Sequence, residues 1–183
     1  HSPYTLSLHD ALPISKEVTE NIEKYEIGIS LQKTHDFMWT EFCDWYIELV
    51  KPVLYADDCE AKGIVLNVLN KVLKTGLKLL HPVMPFITEE IYTHLENEYE
   101  SITIAKWPEF DESLKDEKSE EKMNYIIEAI KDVRNARVGM NVAPSRKAKV
   151  FIYAIEAKEA FEEGMVYFQK LASARDRKST RLN

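Results

Sequence analysis

Apolar residues recur at helical intervals from about residue 17 to residue 51. Leu31, Met38, Phe42, Trp45 and Leu49 lie three, four or seven apart, while Glu41, Asp44 and Glu48 take another face. The spacing predicts one helix, ended or kinked at Pro52. A second pattern covers Ala61 to Leu80. Val65, Leu69, Val72 and Leu79 form its stripe, and Leu66, Leu73, Leu77 and Leu80 widen it. So broad a face predicts burial on more than one side, as at the centre of a bundle. Gly76 falls in the first stripe, where a missing side chain lets another helix come close. His81-Pro82 stops this helix, and Pro85 suits the first position of the next. Ile87, Ile91 and Leu95 supply that helix's stripe, with Glu89 and Glu90 near its positive N-terminal end.

Further along, Ser101 to Ala105 alternates and is closed by Trp107-Pro108. Residues 109–121 read as a solvated acidic linker or helix approach. A fourth helix is predicted from about Glu117 to Val138, with Gly139 as its C-terminal cap. Lys147 to Ile155 alternates weakly and is rich in β-formers, which predicts a strand, and a short amphipathic helix follows to Ala174. No internal repeat is present. The expected class is mainly α, an antiparallel helix bundle with a small α/β appendage, and 5 Gly against 7 Pro agrees with it. The ends differ from the middle. Residues 1–15 carry no helical period, 175–183 (RDRKSTRLN) is abruptly basic, and the chain opens on His1. Both ends resemble translated sequencing-adapter tails, so 1–15 and 175–183 are expected to be non-native scars. Between them, the bundle is expected over 16–140 and the appendage over 141–174.

Charge first argues against nucleic acid, since the chain carries −7 from 24 basic and 31 acidic residues. The two ends carry −1 and +3, so the residues between them carry −9. The distribution changes the picture. Residues 96–121 hold ten acids and three bases, whereas Lys131, Arg134, Arg137, Arg146, Lys147 and Lys149 are opposed only by Asp132 across 131–149. A local basic strip binds phosphate whatever the total; an ordinary solvated face is the alternative. With Ile130 as the origin of a helical projection, Met123 falls at about 20°, Ile126 at about −40° and Ile127 at about 60°. Arg134 falls at about 40° and Arg137 at about −20°, continuing the apolar stripe. They either pair with carboxylates, complement the helix C-terminus, or meet an anionic partner.

Aromatic residues crowd one stretch: Phe37, Trp39, Phe42, Trp45 and Tyr46 around Cys43. Such clusters stack bases in RNA-binding proteins. Phe42 and Trp45 lie on the core stripe; Phe37 and Trp39 lie off it, open between stacking and packing. Cys43 reads as a small buried hydrophobe, and two cysteines make no disulfide framework, which points to a reducing, cytoplasmic compartment. No apolar run is long enough for a membrane span, and the start lacks a secretory pattern. His35, His81 and His94 are scattered without metal-ligand spacing. Phosphate-binding glycine loops and the GxSxG nucleophile elbow are absent. Glu89 and Glu90 point about 100° apart on a helix and share no substrate. No catalytic residue is assigned.

Trp39-Thr-Glu-Phe-Cys-Asp-Trp-Tyr-Ile-Glu-Leu-Val-Lys-Pro52 resembles a signature of the anticodon-binding domain of bacterial valyl-tRNA synthetases. Leu80-His-Pro-Val-Met-Pro-Phe-Ile-Thr-Glu-Glu-Ile91, Ser101-Ile102 with Trp107-Pro108, and Ile130-Lys-Asp-Val-Arg-Asn-Ala-Arg137 followed by Met140-Asn-Val-Ala-Pro-Ser145 resemble later blocks of that family, in the same order. The resemblance covers about 16–174. The first block selects valine; the His-Pro-x-x-Pro-Phe block is shared with isoleucyl and leucyl relatives. The resemblance implies a parent class I enzyme that joins valine to its tRNA with ATP, monomeric and cytoplasmic. The His-Ile-Gly-His and Lys-Met-Ser-Lys-Ser motifs, the editing domain, the opening bundle helix and the C-terminal coiled-coil arm of that family are absent from this segment. It therefore implies a role at the anticodon end of the tRNA, without a cofactor or metal of its own. Arg134, Arg137, Arg146 and Lys147 are the candidates for phosphate or base contact, with Phe37 and Trp39 for stacking. The rivals are a sister isoleucyl or leucyl domain and a helical protein-interaction module.

Overall fold

A computed structural model of the chain describes residues 6–56, 59–109, 117–143, 146–147, 149–150, 152 and 158–172. The chain forms two compact units, His1–Asp116 and Glu117–Asn183. The first contains α1 (Leu6–Glu23), α2 (Ile27–Asp36), a π-helical segment (Phe37–Tyr46), α3 (Ile47–Leu54), α4 (Cys59–Leu80), α5 (Pro85–Thr93) and a 3-10 turn (Ile102–Ile104). The second contains α6 (Glu117–Gly139), α7 (Lys158–Glu163) and α8 (Met165–Leu171).

The helix predicted over 17–51 is broken once. Tyr25 adopts a left-handed backbone, φ 62°. Its N–H bonds to Ile22 O at 2.9 Å and that of Glu26 to Asn21 O at 2.8 Å. This is the paired hydrogen-bond pattern of a Schellman stop, usually built on Gly. Periodicity cannot announce it, because Tyr gives no turn signal. α1 also reaches back to Leu6, through residues that carry no sequence period. Ile14 packs on the core, and Ser15 is buried with Val18, so a serine fills an inward position and hides the stripe.

α2 runs without a stop into the π segment and α3. The wider π turn places residues five apart on one side, so Phe37 and Phe42 are both buried. Tyr46 and Val50 continue that face against Val65, Val68 and Val72 of α4. Each such side chain taken from water contributes about 1.5–3 kcal/mol. Met38 sits over Gly76, where an added Cβ would lie 2.0 Å from its Sδ. Pro52 lies inside α3 instead of ending it, because Val53 and Leu54 still pack on this core. The buried face of α4 is narrower than predicted. Leu66 is 49% exposed, since it points about 200° from Val68, which faces the core.

α5 is rotated relative to its apolar stripe. Thr88 and Tyr92 are buried, whereas Ile87 and Ile91 are exposed. Polar bonds set this orientation. The Thr88 hydroxyl donates to Met84 O at 2.8 Å and meets His81 Nδ1 at 2.8 Å. The Glu89 carboxylate accepts from Ser101 Oγ at 3.0 Å and Ile102 N–H at 3.1 Å. Ser101 Oγ caps the 3-10 turn by accepting from Thr103 N–H at 3.1 Å, so the alternating run forms a turn instead of a strand. Ile102 then joins Leu77 and Tyr92 in a second cluster. Trp107 Nε1 donates to Thr19 Oγ1 at 2.8 Å and ties this loop to α1.

In the second unit, Met123, Ile126 and Ile130 of α6 are buried as their stripe predicts, with Ala160, Phe168 and Ala172. The helix predicted to follow is two helices parted at Gly164, where an added Cβ would lie 2.6 Å from Ile126 Cδ1. At the end of α6 the left-handed residue is Asn141, φ 54°, and not Gly139. Its N–H bonds to Val138 O at 3.0 Å and that of Val142 to Arg137 O at 2.9 Å, a second Schellman stop. Most of the strand predicted over 147–155 lies outside the described residues, and among the described residues there is no strand.

Two substitutions test these assignments by urea unfolding. Tyr25→Gly relieves left-handed strain and is expected to stabilise the chain by up to about 1 kcal/mol. Gly76→Val forces Met38 away from α4 and is expected to cost about 1–3 kcal/mol.

Candidate nucleic-acid interface

Arg137 sits in the last turn of α6, and its guanidinium folds forward over the loop that the Asn141 stop creates. Nη2 donates to Ala143 O at 3.0 Å and also to Arg146 O. Ala143 O accepts a second bond from Arg146 N–H at 3.0 Å. Arg137 therefore binds backbone carbonyls that follow the helix, and it fixes the course of the chain where Arg146 and Lys147 leave the surface. Both of those side chains are exposed. Arg134 Nε donates to Leu171 O at 2.8 Å, the last residue of α8, where a cation complements the negative end of the helix. Both arginines of the stripe thus donate to backbone carbonyls. Lys131 and Lys149 are exposed on the same strip.

The two aromatic candidates separate. Phe37 is 2% exposed and packs in the core, so it offers no face to a base. Trp39 is 64% exposed. Its ring lies parallel to that of His35, with centroids 6.1 Å apart and planes 5° from parallel. Asp36 Oδ1 lies 3.2 Å from His35 Nδ1, and the Gln32 amide donates to the same oxygen at 2.8 Å. Those two bonds, Gln32 first, hold the Asp36 carboxyl below the usual carboxylate range. The sequence reading missed His35, although its four-residue spacing from Trp39 on a helix is the signal that finds it. The aromatic pair belongs to the first unit and the basic strip to the second.

Residues 8–152 match the family model described as the anticodon-binding domain of tRNA ligase. The chain belongs to that family. Its similarity to valine–tRNA ligases is high: 71% identity to that of Clostridium perfringens over 87% of this chain, and 61% to that of Clostridium tetani over 88%. The valine–tRNA ligase of Thermotoga maritima is 43% identical over 80% of the chain. The chain spans 18% of the length of each of the two clostridial proteins. The helical architecture of an anticodon-binding domain is thereby established, and the resemblance carried by the Trp39–Pro52 block agrees with these relatives.

Among its described residues this anticodon-binding domain has no group of three metal-ligating side chains, and no described helix is long and apolar enough to cross a membrane. Cys43 corrects the reading of a buried thiol: the π turn that brings Phe42 and Trp45 inward leaves it exposed. Desolvation and then the neighbouring Asp44 carboxylate push its thiol above the ordinary thiol range. A thiol held protonated reacts slowly. Alkylation by iodoacetamide at pH 8 is expected to be slower than for an unstructured cysteine peptide, and to level off at a higher pH. Asp44→Asn is expected to lower that levelling point; an unchanged rate–pH profile would contradict the carboxylate's part.

Proposed function

We propose that this chain is the tRNA-gripping portion of a longer valine–tRNA ligase, which joins valine to its tRNA with ATP. The observation that carries the reading is the loop organised by Arg137, which sets Arg146 and Lys147 in solvent on a domain of the anticodon-binding family. Arg146 and Lys147, with Lys131 and Lys149 beside them, contact backbone phosphates of the anticodon end. Arg134 and Arg137 act through the backbone they hold. Trp39, backed by His35, offers a stacking face for an unpaired base. Valine as the amino acid is supported by the names of the relatives; the longer protein is read as a cytoplasmic monomer.

A second reading has its own observation. Val83, Met84, Phe86, Ile87 and Ile91 are exposed around the corner between α4 and α5, Phe86 at 90%. A patch of that kind fits a protein-interaction module.

Salt dependence separates the two. Binding of valine tRNA that weakens steeply with salt supports phosphate contact, and no binding at low salt supports the module. Replacing Arg146 and Lys147 by Ala is expected to reduce the salt slope by about 1 for each cation removed. In the longer enzyme, Arg137→Ala is expected to weaken tRNA binding while tRNA-independent valine activation persists. Equal loss of both would remove the assignment. Isoleucine and leucine tRNA transcripts, with anticodon swaps, test the sister-synthetase reading.

A further inference from the structure

The first unit carries a groove of about 560 Å³ along α4, in the size range of small-ligand sites. Several of its lining side chains are both polar and buried. Ser15 and Tyr92 reach it while only 1% and 2% exposed, and Asn70 Oδ1 is buried beside it without a hydrogen-bond partner among the described residues. Lys71, Lys74 and Lys78 enter from α4 at i, i+3 and i+7, one side of the helix, and Glu98 and Glu109 line the groove as well. Among the described residues neither Lys71 nor Lys78 has a carboxylate within 4.0 Å. Lys74 donates one of its three N–H groups to the backbone carbonyl of Glu96. Burial lowers the pKa of Lys78, Glu98 opposes that shift, and Lys74 adds to it. A half-buried cation such as Lys78 attracts an anion more strongly than a cation in open water.

We propose that this groove binds a nucleotide phosphate through Lys71, Lys74 and Lys78, with the Asn70 amide hydrogen-bonding the attached nucleoside. Asn70 carries both a donor and an acceptor, so it bonds a base edge in either orientation. Glu98 accepts from a ribose hydroxyl or an exocyclic amine. Three lysines over seven residues span about 10 Å of helix axis, more than one inorganic ion covers. That span favours a polynucleotide backbone, and the inference rests on the RNA-binding reading for this source. A free nucleotide presents the same chemistry.

The test compares three forms of the 183-residue chain: unmodified, Lys71→Gln with Lys78→Gln, and Arg146→Ala with Lys147→Ala. Fluorescence anisotropy with labelled valine tRNA across a salt series gives affinity and slope. The groove variant is expected to bind about 3–10-fold more weakly, with a slope smaller by about 2, and Lys71→Arg with Lys78→Arg to restore both. If the groove variant binds normally while the strip variant loses affinity, the groove inference falls and the RNA reading stands. If only the groove variant loses affinity, the groove stands and the strip assignment falls. A parallel titration with adenosine 5′-monophosphate follows the Asn70 side-chain amide by NMR, assigned with Asn70→Ala. Should tRNA not bind at all, a shifted Asn70 signal keeps the groove as a free-nucleotide site, and an unmoved one overturns it.

Discussion

The first unit depends on one interface, the side of the π segment and α3 that lies on the valines of α4. Phe37, Phe42, Tyr46 and Val50 meet Val65, Val68 and Val72 there, with Met38 fitted over Gly76. β-branched valines present a stiff, shallow surface, and aromatic rings cover it well. This contact explains the widened helix. An α period over the same residues places Phe37 off the stripe of Phe42 and Trp45; the π turn brings all three inward. Burial of a large ring outweighs the poorer hydrogen-bond geometry of a wide turn. The same rotation turns Trp39 and Cys43 outward.

Legibility divided along physical lines. Where a long stripe of large apolar residues faced one side, as in α6 with Met123, Ile126 and Ile130, the pattern alone located the element and its inner face. Where polar bonds chose the orientation, it did not. The stripe Ile87, Ile91, Leu95 was plain in α5, yet the His81–Thr88 and Glu89–Ser101 bonds turned Thr88 and Tyr92 inward. The first pair spans the turn that precedes α5 and the second lies 12 residues apart, so a helical period shows neither. Gly139 drew the eye as a cap, but Asn141 takes the left-handed conformation. For the candidate site, charge clustering located the strip, while the division of labour within it needed coordinates. Sequence projection put Arg137 on an apolar stripe and left its partner open, and that partner is the backbone of the following loop.

This division shapes the interface. Arg134 and Arg137 each donate to backbone carbonyls, and exposed Arg146 and Lys147 keep their charge in solvent. A guanidinium suits the first task because its planar fork meets several acceptors at once. The net charge of −7 conceals this arrangement, since acidic residues concentrate over 96–121 and basic ones over 131–149. A local cluster of cations keeps a positive potential around itself even on a chain of net negative charge.

Tyr25 carries a consequence for how the chain folds. A glycine at the stop between α1 and α2 would let the turn form early from local preference alone. Tyrosine resists the left-handed conformation by about 1–2 kcal/mol, so the turn closes only when side chains on both helices offset that cost. Among the described side chains, Ser15, Val18, Ser30 and Thr34 are the buried residues of that hairpin with α1 or α2 as their element. The hairpin is therefore expected to depend on tertiary packing more than one stopped by glycine would.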